Sequence, residues 1–353
     1  MSEPFGSPGN SPIESLIDGH GRPLEDLRIS VTDQCNFRCG YCMPKHIFDK
    51  NHIFLQPEAL LTFDEIEKLV RVFLRLGIKK LRLTGGEPLL RKGLANLIGR
   101  LAKLKSEFSF EIALTTNGVL LSQQARTLKN AGLDRLTVSL DAMNPEVFQR
   151  MNDSAISIGR VLEGIAAAEN AGFNAININV VVRKGQNEDQ IAPIALHFKS
   201  THHVPRFIEF MDVGNTNGWQ IDQVIPSTEV RSIVQRFVAP LSRIGFSGVA
   251  ERWAYDDGTG QVDFISSVTQ AFCNTCTRLR LSADGQLFTC LFARHGHDIR
   301  ASLRSKDSFA SESNGGLEAQ ISNIWQHRTD RYSAQRLHQP QRLARVEMSY
   351  IGG

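Results

Sequence analysis

The sequence predicts an α/β fold: a partial (β/α)6 TIM-like barrel with an irregular C-terminal α+β layer covering its open side. Three observations carry this. Six apolar, β-branched segments of strand length alternate with longer segments of helical period, the pattern of βα units around a parallel sheet. The alternation stops near Asn215 and gives way to short strands and isolated helices. With 353 residues, 41% of them hydrophobic, the chain can bury a core of barrel size with an extension.

The six strands are read at Leu27–Thr32, Lys80–Thr84, Phe110–Thr116, Arg135–Leu140, Ala175–Val182 and Arg206–Met211. Thr62 and Glu65 form a capping box ahead of Ile66, Leu69, Val70 and Phe73, and Gly77 closes that helix. Ser122 is the expected cap of a short helix ending at Gly132. A further helix covers Ile158–Asn170, and Asn187 is the expected cap of the one after the fifth strand. Six such units are too few for a closed eight-unit barrel. Beyond Asn215 come a helix at Ser227–Phe237, a hairpin at Arg278–Leu291 turning on Asp284-Gly285, a Ser-rich loop at Ser305–Gly316 and a last helix at Leu317–His327.

The expected organisation is a flexible tail over 1–24, most evident in the Pro- and Gly-rich Met1–Ile13, a barrel over 25–214, a C-terminal domain over 215–345 and a short tail over 346–353. Lys and Arg outnumber Asp and Glu by 40 to 37. That balance excludes the broad basic field that tracks nucleic acid, so an anionic ligand must be met by a few placed cations. No apolar run has the length to span a bilayer, and Glu3, Glu14 and Asp18 interrupt the start where a signal sequence would be apolar. The expectation is a cytoplasmic protein.

All six cysteines fall in two triplets, Cys35-x3-Cys39-x2-Cys42 after the first strand and Cys273-x2-Cys276-x13-Cys290 in the C-terminal region. Disulfides fit poorly, because an intracellular chain keeps thiols reduced and three per group leave one over. Structural zinc needs four ligands, which His295 or His297 could complete for the second triplet. Iron–sulfur clusters are the remaining option, with three thiolates leaving one iron of a cubane open for something other than protein.

Cys-x3-Cys-x2-Cys with Tyr41 before the last cysteine, together with Gly85-Gly86-Glu87-Pro88 after the second strand, resembles the radical S-adenosylmethionine (SAM) enzymes. The resemblance narrows to the GTP 3′,8-cyclase family through Val31–Pro44, Leu83–Pro88, Thr115-Thr-Asn-Gly118, Arg206-Phe-Ile-Glu209, the second triplet with Arg278-Leu279-Arg280, and the terminal Gly352-Gly353. It runs from about Leu27 to the last residue.

That resemblance implies two [4Fe–4S] clusters. One on Cys35, Cys39 and Cys42 binds SAM at its open iron and generates a 5′-deoxyadenosyl radical; one on Cys273, Cys276 and Cys290 binds the guanine of GTP. It further implies SAM contacts from Tyr41, Gly86, Ser139 and Met211, and GTP contacts from Arg28, Arg82, Thr115, Arg206, Arg278, Leu279 and Arg280. In the family the radical takes the C3′ hydrogen of GTP, and the product is (8S)-3′,8-cyclo-7,8-dihydroguanosine 5′-triphosphate, an early intermediate of molybdopterin biosynthesis. The next enzyme is then cyclic pyranopterin monophosphate synthase, the electron donor is unidentified, and a homodimer is compatible with this reading. Where family members carry a GTP-binding Lys this chain has Asn177, and Arg183 and Lys184 are the candidates to replace it. Gly352-Gly353 resembles a flexible tail that reaches the active site. Other readings are a peptide-modifying radical SAM enzyme with an auxiliary cluster and a zinc-stabilised binding module.

Overall fold

The computed structural model describes residues 16–304, 315–336 and 344–353. Residues 1–15 of the expected tail and 305–314 of the expected Ser-rich loop lie outside the described residues. Six parallel strands form the centre: β1 (Asp26–Ser30), β2 (Lys80–Thr84), β3 (Glu111–Thr116), β4 (Arg135–Ser139), β5 (Asn177–Val182) and β6 (Val204–Glu209). Between them run α1 (Phe63–Arg75), α2 (Leu94–Lys103), α3 (Leu121–Asn130), α4 (Pro145–Asn152), α5 (Ile158–Asn170) and α6 (Ile191–Phe198), followed by α7 (Ser227–Phe237).

The C-terminal region adds β7 (Leu241–Ser247), β8 (Ala250–Tyr255), β9 (Gln261–Ile265), β10 (Arg278–Leu281), β11 (Gln286–Phe288) and β12 (His297–Asp298). These do not form a separate layer. The sheet order is β12-β11-β10-β1-β2-β3-β4-β5-β6-β9-β8-β7, so the C-terminal strands extend both edges of the central six, and the sheet stays open. β10 and β9 join β1 and β6 in parallel, and the outer strands return as antiparallel hairpins. The barrel is therefore widened at both sides, which brings Cys273, Cys276 and Cys290, flanking β10 and β11, close to the first strand.

Alternation along the strands positions the site. Leu27 and Ile29 of β1 are fully buried in the hydrophobic core, while Arg28 between them faces the other way, onto the inner surface of the sheet. α1 shows why the outer shell forms. Thr62 Oγ1 accepts a hydrogen bond from Glu65 N, the Glu65 carboxylate accepts one from Thr62 N, and Ile66, Leu69, Val70 and Phe73 then follow on one face. Burying each such side chain contributes roughly 1.5–3 kcal/mol.

Three local expectations are corrected. Residues 16–24 are no flexible tail but belong to the fold: Leu16 pairs with Leu24 through the backbone, Leu24 is fully buried, and Asp18 and Arg22 are buried with it. Ser122 lies inside α3, whose cap is Leu120 with no side-chain bond. Asn187 stands at the head of the 3-10 turn Glu188–Gln190 that leads into α6, but its side chain does not cap it; the amide instead donates to the carbonyls of Asp141 and Val181 and accepts from Arg183 N, tying the ends of β4 and β5 together.

Candidate active site

The carboxyl ends of the central strands open onto a cavity of about 330 Å³. All six cysteines line it, all are free, and the two triplets share this one space. Loops past β1 and β2 build the first side. Arg38 staples the cysteine loop by donating to the carbonyls of Cys35, Phe37 and Phe48, at 2.7–2.8 Å. Phe37 N donates to Cys35 Sγ at 3.4 Å.

Gly85 and Gly86 cross this loop in backbone contact. Gly86 N donates to Thr32 O at 2.8 Å and Glu87 N to Gln34 O at 2.7 Å. A Cβ on Gly86 would stand 2.3 Å from Gln34 O and 2.7 Å from Asp33 O. Glycine is thus required here by the cysteine loop itself, a packing reason that the motif alone does not disclose.

Glu87 is buried, and its carboxylate accepts three hydrogen bonds, from Leu89 N, Thr116 Oγ1 and Asn117 N, which order the β3–α3 turn. Burial pushes its carboxyl up to about 7 against these donors. Tyr41 donates to Asp141 Oδ2 at 2.7 Å, and Asp141 Oδ1 accepts from Val181 N at 2.8 Å. Burial raises Asp141 to about 6. Burial likewise pushes the Cys35 thiol up to about 12 and raises the Cys39 and Cys42 thiols as well, since it disfavours the thiolate.

The opposite wall is cationic. Arg280, Arg28 and Arg82 are direct neighbours across β10, β1 and β2, and Arg278 sits at the head of β10. Burial and the guanidinium groups of Arg280 and Arg278 push Arg28 well below its ordinary range, and burial and Arg278 bring Arg280 to about 10. Arg28 Nε, Arg82 Nε and Arg278 Nη2 have no hydrogen-bond partner among the described residues. Buried guanidinium groups of this number, incompletely paired and with no carboxylate bonded to them among the described residues, call for an anion. Burial raises the Cys276 thiol, yet Arg278 and Arg328 outweigh it and hold that thiol below its ordinary value, while burial pushes Cys290 up to about 12.

The residues named from the sequence fall as follows. Tyr41, Gly86, Ser139 and Met211 all line the cavity, Met211 just past the end of β6. Arg28, Arg82, Thr115, Arg206, Arg278 and Arg280 do too, with Arg82 Nη1 donating to Thr115 Oγ1 at 2.9 Å. Leu279 does not: its side chain is fully buried in the core behind β10, so only its backbone is available on the site side. Arg206 is already paired with Asp263 at 2.7 Å and also donates to Asn177. Neither candidate for the missing Lys reaches the site. Arg183 donates to Gln223 and lies over the Phe210 ring, and Lys184 borders a separate surface depression.

At the tail, Arg280 Nη1 donates to Gly352 O, and Gly353 lines the cavity. Glu347 bonds Asn215 N and Thr216 Oγ1 in the loop after β6, which holds the tail in this position. The sequence reading missed Asp141, Arg22, Arg328 and Asn117 on the cavity wall. Only Asn117 lay in a quoted motif.

Six free thiols in two triplets around one void fit polynuclear clusters. Among the described residues no three His, Cys, Asp or Glu side chains gather as ligands of a single ion would.

Two family models match the chain. The Radical SAM superfamily matches residues 29–197, and Molybdenum Cofactor Synthesis C matches residues 204–334. A protein called GTP 3′,8-cyclase from Xanthomonas campestris pv. campestris (strain B100) is 49% identical over 96% of this chain and 97% of its own length. Proteins of the same name from Acidothermus cellulolyticus and Staphylococcus aureus (strain JH9) are 46% and 43% identical, over 96% and 97% of this chain and 99% and 100% of theirs. Among solved structures, Streptococcus suis SuiB bound to S-adenosylmethionine superposes with a TM-score of 0.59 at 14% identity, covering 86% of this chain and 69% of that one, which shows a shared fold. Near-complete coverage by these relatives, with both triplets lining one cavity, places the chain in the GTP 3′,8-cyclase family of radical SAM enzymes.

Proposed function

We propose that this protein is a radical SAM GTP 3′,8-cyclase that acts early in molybdenum cofactor biosynthesis. The observation that carries the reading is one cavity lined by two free-thiol triplets and by buried, incompletely paired arginines. Cys35, Cys39 and Cys42 would hold the cluster that binds SAM, and Cys273, Cys276 and Cys290 the one that faces GTP. Bound there, the first cluster and SAM would supply the one-electron radical chemistry that removal of the C3′ hydrogen of GTP requires.

The chain's own residues bind, orient and enclose. Tyr41, held by Asp141, and Ser139, Gly86 and Met211 form the SAM side of the cavity. Arg28, Arg82, Arg278 and Arg280 offer forked N–H donors to a triphosphate, with Thr115 oriented by Arg82 and Leu279 contributing backbone only. Arg206 is a divided contact, since Asp263 already takes two of its N–H groups. In functional terms residues 25–214 are the radical-generating barrel, 215–345 the region that carries the substrate-side cluster, and 346–353 a tail that closes on the substrate. Among the described residues no helix is long and apolar enough to cross a membrane. A cytoplasmic enzyme with an external electron donor, handing its product to cyclic pyranopterin monophosphate synthase, completes the reading.

The test is anaerobic reconstitution with iron and sulfide, addition of SAM and a reductant, and quantification of 5′-deoxyadenosine with and without GTP. A rise with GTP and a new isomer of GTP are expected; SAM cleavage indifferent to GTP would remove the substrate assignment.

Arg280→Ala should weaken GTP binding by about 2 kcal/mol, roughly thirtyfold, whereas Arg183→Ala and Lys184→Ala should leave it within about twofold. Equilibrium binding of GTP to the three variants measures this. Deleting Gly352 and Gly353 should lower cyclised product at least about tenfold with little change in GTP affinity, because the deletion removes one contact to Arg280 and leaves the arginine in place. Unchanged turnover on deletion would assign the tail to packing alone.

A further inference from the structure

Three charged residues beside the second triplet have no part in the reading so far. Asp18 is 5% exposed, Arg22 2% and Arg328 4%, although they come from the two ends of the described chain. Asp18 Oδ2 accepts from Arg22 Nε at 2.6 Å and from Arg328 Nη1 at 3.3 Å. Its Oδ1 accepts the backbone N–H groups of His20 and Arg22, both at 2.9 Å. The carboxylate is saturated and rigid.

Each arginine then reaches a cysteine. Arg22 Nη1 donates to Cys273 O at 2.8 Å and to Asp330 O at 2.9 Å. Arg328 Nη1 donates to Cys276 O at 2.7 Å, and Arg328 Nη2 to Cys276 Sγ at 3.3 Å. Trp325 backs the pair from behind: Arg328 lies over its ring at 4.5 Å, and its Nε1 donates to Arg22 O at 3.3 Å. Asp330 Oδ2, at 3.7 Å from Arg328 Nε, is too far for a hydrogen bond. Arg22 lines the cavity, and its Nη2 has no hydrogen-bond partner among the described residues.

Stability alone explains this arrangement poorly, since a buried ion-pair cluster is often no better than apolar packing of equal volume. What it provides is direction. Two planar donor forks, fixed on one carboxylate, set the backbone of two cysteines and place a charged N–H on the sulfur of one.

We propose that Asp18, Arg22 and Arg328 are positioning residues of the second iron–sulfur site, and that the Arg328 bond to Cys276 Sγ tunes the reduction potential of the cluster held there. This rests on the reading of the second triplet as cluster ligands. A charge-assisted N–H on a ligand sulfur favours the reduced, more negative cluster, so its loss lowers the potential. Arg22 Nη2 is a further donor on the cavity side.

The experiment uses the full chain carrying Cys35→Ala, Cys39→Ala and Cys42→Ala, reconstituted so that only the second triplet can bind iron. Iron content and an electron paramagnetic resonance redox titration are then compared with and without Arg328→Gln, Arg328→Lys or Arg22→Gln. Arg328→Gln should keep the iron and move the midpoint to more negative potential by a tenfold change in the reduced-to-oxidised ratio, about 59 mV for one electron. Arg328→Lys, which keeps the charge and loses the fork, should fall between, and Arg22→Gln should shift the same way by less. A cluster with wild-type potential in both Arg328 variants overturns the proposal. So does an Arg328→Gln that loses iron with its fold while Arg328→Lys holds a cluster of unchanged potential, since that is a structural role only. Absence of any cluster in the parent instead removes the cluster reading of the second triplet.

Discussion

Cys35→Ala is expected to abolish SAM cleavage, whereas Cys290→Ala should retain uncoupled cleavage to 5′-deoxyadenosine and lose cyclised product. The two cysteines line the same cavity, and burial pushes both thiols up to about 12, so exposure or acidity does not set them apart. What separates them is company. Cys35 sits in a loop held by Arg38 and crossed by Gly86, on the side of the cavity that Tyr41 and Asp141 build. Cys290 follows β11 and shares its wall with Arg278 and Arg280. Loss of the first cluster removes the one-electron donor that reductive cleavage of SAM needs, a fall beyond about a thousandfold. Loss of the second leaves radical generation intact and the substrate unanchored, and a misplacement of about 1 Å already costs on the order of a hundredfold. The two products, counted in the same assay for each variant, measure the split. Equal loss of both in both variants would argue against separate roles.

How much of this could be read from the chain follows from the range of each interaction. The limits of β2, α5 and α7 match expectation residue for residue, since period, capping and flanking glycines are local signals. The cysteine triplets are equally local, and their spacing carries the site. Ser122 misleads because a serine one position inside a helix looks the same in sequence as one at its cap. The Asp18–Arg328 contact spans 310 residues, so the segment 16–24 reads as a tail although it is pinned under the second triplet. Asp263, which takes up Arg206, arrives from β9, a strand whose place beside β6 no local pattern reveals. Leu279 shows the converse: the family match names a stretch of three residues, while strand alternation turns its middle side chain into the core.

Gly86→Ala is expected to cost SAM cleavage as completely as loss of a cysteine, by a different route. The added methyl group would meet three backbone atoms within 2.7 Å, Gln34 O, Gln34 C and Asp33 O, none of which is the end of a flexible side chain. Relief requires that the glycine loop and the cysteine loop part. Doing so breaks the Gly86 N to Thr32 O and Glu87 N to Gln34 O bonds and moves Glu87, whose carboxylate orders Thr116 and Asn117. The cost is on the order of 3 kcal/mol, as for overpacking in a core with little freedom to shift. Because the strands beneath are held by their own ladders, the loss should be local: helix content by circular dichroism stays close to wild type, while iron bound at the first triplet falls and iron at the second is kept. Iron counting in Gly86→Ala, alone and combined with Cys290→Ala, separates the two sites. If the variant keeps a full first cluster and loses only SAM affinity, then the glycine serves the ligand directly, and the crossing of the two loops is tolerant of a Cβ after all.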